Sequence, residues 1–293
     1  MRVIIFGAGG QLGIDLVREC RGRGHSVLAL RREKLDITNA KAVLETIERY
    51  TPDWVINAAA YNKVDLAETE PEVAMRINAI AVQGIAVACA ETGATFLQYS
   101  TDHVFGGTKR TPYTEKDEPQ PPSSYGVSKL AGELFVRAYC EKQYVMRVAG
   151  VFGPAGRYTN HGNFAELILR KAAERAPLRI VKDFMATPTY SPALASRSID
   201  ALEKEIPYGL YHLGGGDEIS WYDYAVKIAQ AAGKDADISP VTHREFQTVA
   251  KRPRYSALSN AKIESEGISA IPSLDECLVD YMKMRKRERP RRS

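Results

Sequence analysis

Val3-Ile4-Ile5-Phe6-Gly7-Ala8-Gly9-Gly10-Gln11-Leu12-Gly13 runs four apolar residues straight into a turn with glycine at positions 7, 10 and 13. A short apolar strand meeting Gly-x-x-Gly-x-x-Gly at the start of a helix is the opening of a βαβ unit. Without side chains at Gly7, Gly10 and Gly13 the backbone can approach an anion closely. The free N–H groups and dipole of the helix N-terminus then favour that anion. The turn therefore reads as a pyrophosphate cradle for a dinucleotide, the bland alternative being an ordinary tight turn.

Outward from this turn, similar runs recur at Val27–Leu30, Trp54–Asn57, Phe96–Ser100 and Tyr144–Arg147, with helical patterns between them. Such alternation predicts an α/β fold, a doubly wound parallel sheet buried on both faces, with ligands at the carboxyl ends of its strands. A chain of 293 residues exceeds one ordinary core. Residues 1–155 are expected to form the dinucleotide-binding domain and 156–293 mainly a smaller C-terminal α/β substrate lobe. A helix near Ser191–Lys204 and a strand near Leu210–Leu213 are expected to return to the main sheet. Within the lobe, Leu178–Val181 reads as a strand and Trp221–Ala232 as a helix.

The net charge of +4 is misleading about partners. Seven basic residues and one acidic lie between Lys283 and Ser293, leaving 33 cations against 35 carboxylates in the rest. That body is not a basic groove, so no nucleic-acid partner is expected, and 283–293 reads as a frayed, disordered tail. The start lacks the pattern of a signal peptide and no apolar run is long enough for a bilayer. Cys20, Cys89, Cys140 and Cys277 are scattered and read as buried free thiols. The expected setting is the cytoplasm, with no membrane partner.

Tyr125-Gly126-Val127-Ser128-Lys129 begins a helix. Val127, Leu130, Ala131, Leu134, Phe135 and Ala138 recur at i, i+3, i+4 and are expected to face the core. Tyr125 and Lys129, one turn apart, would then look away from it together. A phenol is a poor proton carrier at neutral pH, and the ammonium is expected to lower its pKa. Tyr99-Ser100-Thr101-Asp102-His103 follows the fourth strand at the same edge. Thr101 is suited to hydrogen-bond a substrate oxygen and Asp102 a sugar hydroxyl, while a helix cap or Asx-turn is the plainer reading. Arg31, at the end of the second strand, stands where a site for the unphosphorylated cofactor has an acid. It suits a 2′-phosphate, so NADPH is expected, with NADH the alternative. Asp36 either contacts the adenine or caps the next helix.

Together, the glycine turn, the strand-end Ser-Thr-Asp and Tyr-x-x-x-Lys resemble the extended short-chain dehydrogenase/reductase family, with its Rossmann fold. Asn57-Ala58-Ala59-Ala60-Tyr61, Val64-Asp65, Glu68, Tyr99–Phe105 and Tyr125–Glu133 are similar to the branch acting on dTDP-linked 4-keto sugars. Asn163-Phe164, Ala186–Thr189, Gly209–Leu213 and Arg252-Pro253 extend the similarity over nearly the whole chain. The resemblance implies a dTDP-sugar substrate whose C4 keto group is reduced, with Tyr125, Lys129 and Thr101 catalytic. It implies a cofactor site of Gly7, Gly10, Gln11, Leu12, Gly13, Arg31, Asp36, Ile37, Ala60, Tyr61, Asn62, Tyr99, Tyr125 and Lys129. Thr101, Asp102, Tyr125, Asn163 and Arg252 would touch the substrate.

Three features depart from the family. Arg147-Val148-Ala149-Gly150 lacks the tryptophan often found at the substrate face there. Arg31 replaces the acidic cofactor residue. Asp15 and Pro192 stand where some members hold a bridging magnesium with glutamates, which implies no metal and a monomer or weak homodimer. Two rival readings remain: an epimerase or reductase for another nucleotide sugar, and a non-catalytic regulatory subunit like that of methionine adenosyltransferase.

Overall fold

A computed structural model of the protein describes residues 1–159 and 162–287. The first half alternates strands β1 (Arg2–Phe6), β2 (Ser26–Leu30), β3 (Trp54–Asn57), β4 (Thr95–Thr101) and β5 (Gln143–Val148) with helices. The helices are α1 (Gln11–Gly22), α2 (Ala40–Tyr50), α3 (Pro71–Met75), α4 (Ala81–Thr92) and α5 (Ser124–Tyr139). A π-helical turn, Arg76–Ile80, joins α3 to α4.

After these come α6 (Phe164–Ala173), β6 (Leu178–Val181), β7 (Met185–Ala186), α7 (Ser191–Glu203) and β8 (Gly209–His212). The chain continues through β9 (Ile219–Ser220), α8 (Trp221–Ala231), β10 (Ile238–Val241), α9 (Ala261–Ser265) and α10 (Leu274–Arg287). The main sheet has six parallel strands in the order β2-β1-β3-β4-β5-β8, so the segment returning to it is β8, beside β5. Two small sheets, parallel β6–β10 and antiparallel β7–β9, build the remainder with α6 and α8.

Alternate residues of each strand separate into two cores. Val3, Ile5, Trp54, Ile56, Tyr144 and Met146 lie with α1, α7 and α8 on one face. Ile4, Phe6, Val55, Phe96 and Val145 lie with α2, α4 and the end of α5 on the other. This is the doubly wound arrangement: apolar β-branched strands need cover on both sides, and crossover helices supply it. The chain leaves β1 toward β2 on one side and later adds β3, β4 and β5 on the other. A crevice therefore opens between the carboxyl ends of β1 and β3.

Three expectations are corrected. The buried face of α5 is Gly126, Ser128, Lys129, Gly132, Glu133 and Val136, whereas Val127 and Leu134 are 47% and 54% exposed. Close packing decides this. A Cβ on Gly126 would lie 2.3 Å from the His103 carbonyl oxygen, and one on Gly132 2.2 Å from that of Asn78. Small residues let the helix seat against neighbouring backbone, and the apolar stripe turns outward. Secondly, residues 283–287 are not a frayed tail but the last turn and more of α10. Its Leu274, Cys277, Leu278 and Tyr281 are buried, and Arg285 pairs with Glu166 at 2.9 Å; residues 288–293 of that stretch lie outside the described residues. Thirdly, the continuous helix Pro71–Thr92 is by length and composition apolar enough to cross a membrane, although half of its most apolar window is buried in the protein. Glu72, Arg76 and Glu91 had broken up that run in the sequence.

Candidate active site

The glycine turn sits in the crevice, and its glycines are required by contact. Gly7 has φ +75°, and a Cβ there would lie 2.5 Å from the Ala59 nitrogen in the loop after β3. On Gly13 it would lie 2.1 Å from the Gly7 carbonyl oxygen. The turn closes through the Gly10 N–H, which donates to Gly7 O at 2.9 Å. Gly10 caps α1 without a side-chain acceptor, so the helix N-terminus keeps N–H groups for an anion. Such a cradle fits a dinucleotide pyrophosphate.

Around it, Gln11 donates to the Val151 carbonyl at 3.0 Å, and Asn163 donates to Gln11 Oε1 at 2.6 Å. These bonds hold the start of α1 to the loop before α6. Asn163 also accepts from the Glu166 N–H, capping α6. Exposed Arg31 lays its side-chain stem across Gly9, whose Cβ would be 3.2 Å from Arg31 Cγ. A guanidinium is thus anchored beside the turn. Asp36 accepts from the Thr38 N–H and hydroxyl at 2.9 and 2.8 Å, which holds its carboxyl below the usual range. Ile37 beside it is buried.

After β3, Ala60 and Asn62 are exposed and Tyr61 is half-buried. Asn78, from the π-helical turn, pins this loop by accepting from the Tyr61 N–H at 2.8 Å and donating to its carbonyl at 2.9 Å. A π turn presents a side chain sideways from the helix, and here that side chain also reaches Ser128 of α5.

Strand β4 delivers Thr101 and Asp102, each 5% exposed. The Thr101 hydroxyl accepts from the His103 N–H, which fulfils the plain capping reading, and donates to Asp102 at 3.1 Å. It also lies near enough to the Tyr125 phenol to lower that group's pKa against the effect of burial. The His103 ring meets Tyr125 edge to face, with centroids 5.6 Å apart. Burial lowers its pKa, against the raising effect of Asp102. Ser123 caps α5 by accepting from the Gly126 N–H. Glu68 accepts from the Ser124 N–H at 2.9 Å, fixing the turn that carries Tyr125.

The electrostatics differ from the simple pairing expected of Tyr125 and Lys129. Burial pushes Tyr125 up to about 12, with Thr101 opposing and Asp102 adding to the rise. Lys129 is pushed down to about 8 by burial, with Glu133 opposing. Its ammonium donates to the Tyr99 carbonyl at 2.6 Å. In this state the cation serves a backbone carbonyl, and the phenol remains a weak acid. Tyr99 is likewise used through its backbone, because its phenol points into the core and bonds Ser198 at 2.6 Å.

Beyond these residues a cleft of about 930 Å³ opens, reached by Asp102, His103, Asn163 and Arg252. Arg252, which lines it, pairs with Asp65 at 2.7 Å. The sequence reading missed Arg157, Arg170, Arg179 and Arg285, which also line it. They come from separate elements and form no motif. It also missed Trp221, whose Cη2 would be 3.3 Å from a Cβ on Gly150. An indole from α8 thus covers the position where the strand-end tryptophan is absent. Among the described residues no group of three or more His, Cys, Asp or Glu is placed to hold a metal ion.

Comparison with known proteins agrees with this geometry. The family model described as the RmlD substrate binding domain matches residues 1–286. A Bacillus subtilis (strain 168) spore coat polysaccharide biosynthesis protein, SpsK, is 36% identical over 97% of this chain and 98% of its own. The dTDP-4-dehydrorhamnose reductase of Salmonella typhimurium is 36% identical over 90% of this chain and 91% of its own. Among solved structures, the Bacillus anthracis dTDP-4-dehydrorhamnose reductase in complex with NADP superposes with TM-score 0.91 at 34% identity, over 97% of this chain and 99% of that one. A Thermus thermophilus UDP-glucose 4-epimerase, 21% identical with TM-score 0.84, shares the fold. With a matching model over almost its full length and relatives above a third identical, this chain belongs to the RmlD substrate binding domain family.

Proposed function

We propose that this protein reduces the C4 keto group of dTDP-4-dehydro-L-rhamnose to give dTDP-L-rhamnose, with NADPH as the reductant. The observation that carries the reading is the Tyr125 phenol close enough to the Thr101 hydroxyl at the crevice edge to have its pKa lowered by it, one helical turn from a buried Lys129. Relatives named dTDP-4-dehydrorhamnose reductase support it over the epimerase and regulatory-subunit readings.

When bound, the reduced nicotinamide supplies a hydride for the keto carbon. Gly7, Gly10 and Gly13 would hold its pyrophosphate and Arg31 its 2′-phosphate, with Gln11, Leu12, Asp36, Ile37 and the Ala60–Asn62 loop around it. Tyr99 would contribute through its carbonyl. Tyr125 donates its proton to the C4 oxygen, and a phenol held at about 12 is fully protonated at neutral pH for that purpose. Thr101 orients the same oxygen. Lys129, turned from Tyr99 O toward a ribose hydroxyl, would then face the phenol as a cation and favour the phenolate left behind. Asp102, Asn163 and Arg252 would contact the substrate, with Trp221 giving the sugar an apolar wall.

Four buried free thiols are compatible with a reducing, cytoplasmic setting. The test mixes purified protein with dTDP-4-dehydro-L-rhamnose and NADPH or NADH and follows cofactor absorbance. NADPH consumption that falls a hundredfold or more with Tyr125→Phe is expected, at about the worth of positioned proton transfer. NADPH binding without turnover on this sugar would count against the reading.

A further inference from the structure

Beneath the Tyr125–Lys129 face lies a charged cluster that the proposed chemistry does not use. Glu133 is one turn beyond Lys129 on α5 and 1% exposed, and Arg147 of β5 is 2% exposed. The guanidinium grips the carboxylate at two points, Nε to Oε1 at 2.9 Å and Nη2 to Oε2 at 2.7 Å. The Ser100 hydroxyl also donates to Glu133 Oε1. Ser100 stands between Tyr99, whose carbonyl receives Lys129, and Thr101, which neighbours the Tyr125 phenol and lowers its pKa. One carboxylate thus ties together the helix and the strand end that carry all three proposed catalytic side chains.

Packing alone is a poor reason for this arrangement. A buried ion pair is often no more stabilising than apolar side chains of the same volume. Here Arg147 Nη1 is buried without a hydrogen-bond partner, although the guanidinium also stacks on Phe105 with 5.0 Å between Cζ and the ring centre. Resting on the proposed function, we infer that Glu133, clamped by Arg147 and Ser100, is a positioning residue that holds the Lys129 ammonium at the crevice for cofactor and phenol.

The physical link is charge as well as geometry. Lys129 sits in surroundings that disfavour its cation, and Glu133 is the group opposing that effect. Other ionisable neighbours are few. Tyr125 shares the helix, and Asp102 follows β4. The Tyr99 phenol lies in the core against Ser198. His103 packs on Tyr125. Behind Glu133 stand Arg147 and His212 of β8, the latter held neutral, at about 3, by burial and by Arg147.

The experiment compares pH profiles of kcat/KM, and of NADPH binding measured without sugar, for wild type, Glu133→Gln and Glu133→Asp. Activity needing a cationic Lys129 is lost as pH rises through about 8. In Glu133→Gln that limb is expected about one pH unit lower, giving roughly a fivefold loss at pH 8, nearing tenfold above pH 9, and much less at pH 6. Glu133→Asp keeps the charge and should bring the limb back. If Glu133→Gln leaves Arg147 unpaired and unfolds, the neutral double variant Glu133→Gln/Arg147→Met carries the same readout. A folded variant without the carboxylate, whose limb and cofactor binding match wild type, would reduce the cluster to packing. Because cofactor binding is read without the sugar, failure of the proposed substrate leaves this test intact.

Discussion

Replacing Lys129 with methionine should remove activity and make the protein more stable. Lys129 is buried, and its pKa is held at about 8 against an ordinary 10.5. That difference corresponds to roughly 3 kcal/mol of destabilisation for carrying the charge inside. The sign follows from linkage. A lysine with a depressed folded pKa costs stability in full below about pH 8, and the cost fades as pH rises toward 10.5. Methionine keeps most of the aliphatic stem and carries no charge. It forfeits the hydrogen bond to Tyr99 O, worth about 1 kcal/mol. That carbonyl is not orphaned, because Gln98 Nε2 also donates to it at 2.7 Å. The net gain is about 2 kcal/mol, or roughly 4–8 °C in Tm at pH 7 for a chain of this size. Calorimetry of wild type and Lys129→Met at pH 7, 8.5 and 10 checks it, and the gap should narrow along that series. A variant that melts lower than wild type at pH 7, or a gap independent of pH, would refute the reasoning.

Four further outcomes follow from particular contacts and exposures. Gly13→Ala puts a methyl 2.1 Å from the Gly7 carbonyl. It should weaken NADPH binding about 10- to 100-fold by titration, as a turn pushed apart no longer matches the pyrophosphate. Arg31→Ala should raise the KM for NADPH about tenfold, the worth of a charge-assisted contact. Its KM for NADH should be nearly unchanged, and an equal loss for both cofactors would remove the 2′-phosphate role. Gly132→Ala, with 2.2 Å to the Asn78 carbonyl, should cost about 1–3 kcal/mol in denaturant melts. Exposed Leu134→Gln should stay within about 0.5 kcal/mol.

Much of the candidate site was legible in local sequence. The run from Val3 to Gly13 needs only neighbours to define a strand, a turn and a helix start. Tyr125 and Lys129 are brought together by helix pitch, and Thr101 by its place at the end of a strand. Each relation spans a few residues, where backbone geometry leaves little choice. The apolar stripe of α5 misled because periodicity measures which residues share a face, not which face is covered.

What the tertiary structure alone decided depends on groups far apart in sequence. Contact with His103 O and Asn78 O turned the small face of α5 inward and left Val127 and Leu134 outside. Lys129 met the Tyr99 carbonyl rather than the phenol. Trp221 covered Gly150 from 71 residues away in the chain, and the arginines of the cleft gathered from separate elements. The basic end became a docked helix because Leu274, Leu278 and Tyr281 found a core to enter. Local sequence determined which side chains travel together; burial, which depends on the whole chain, determined the charges they carry and the partners they meet.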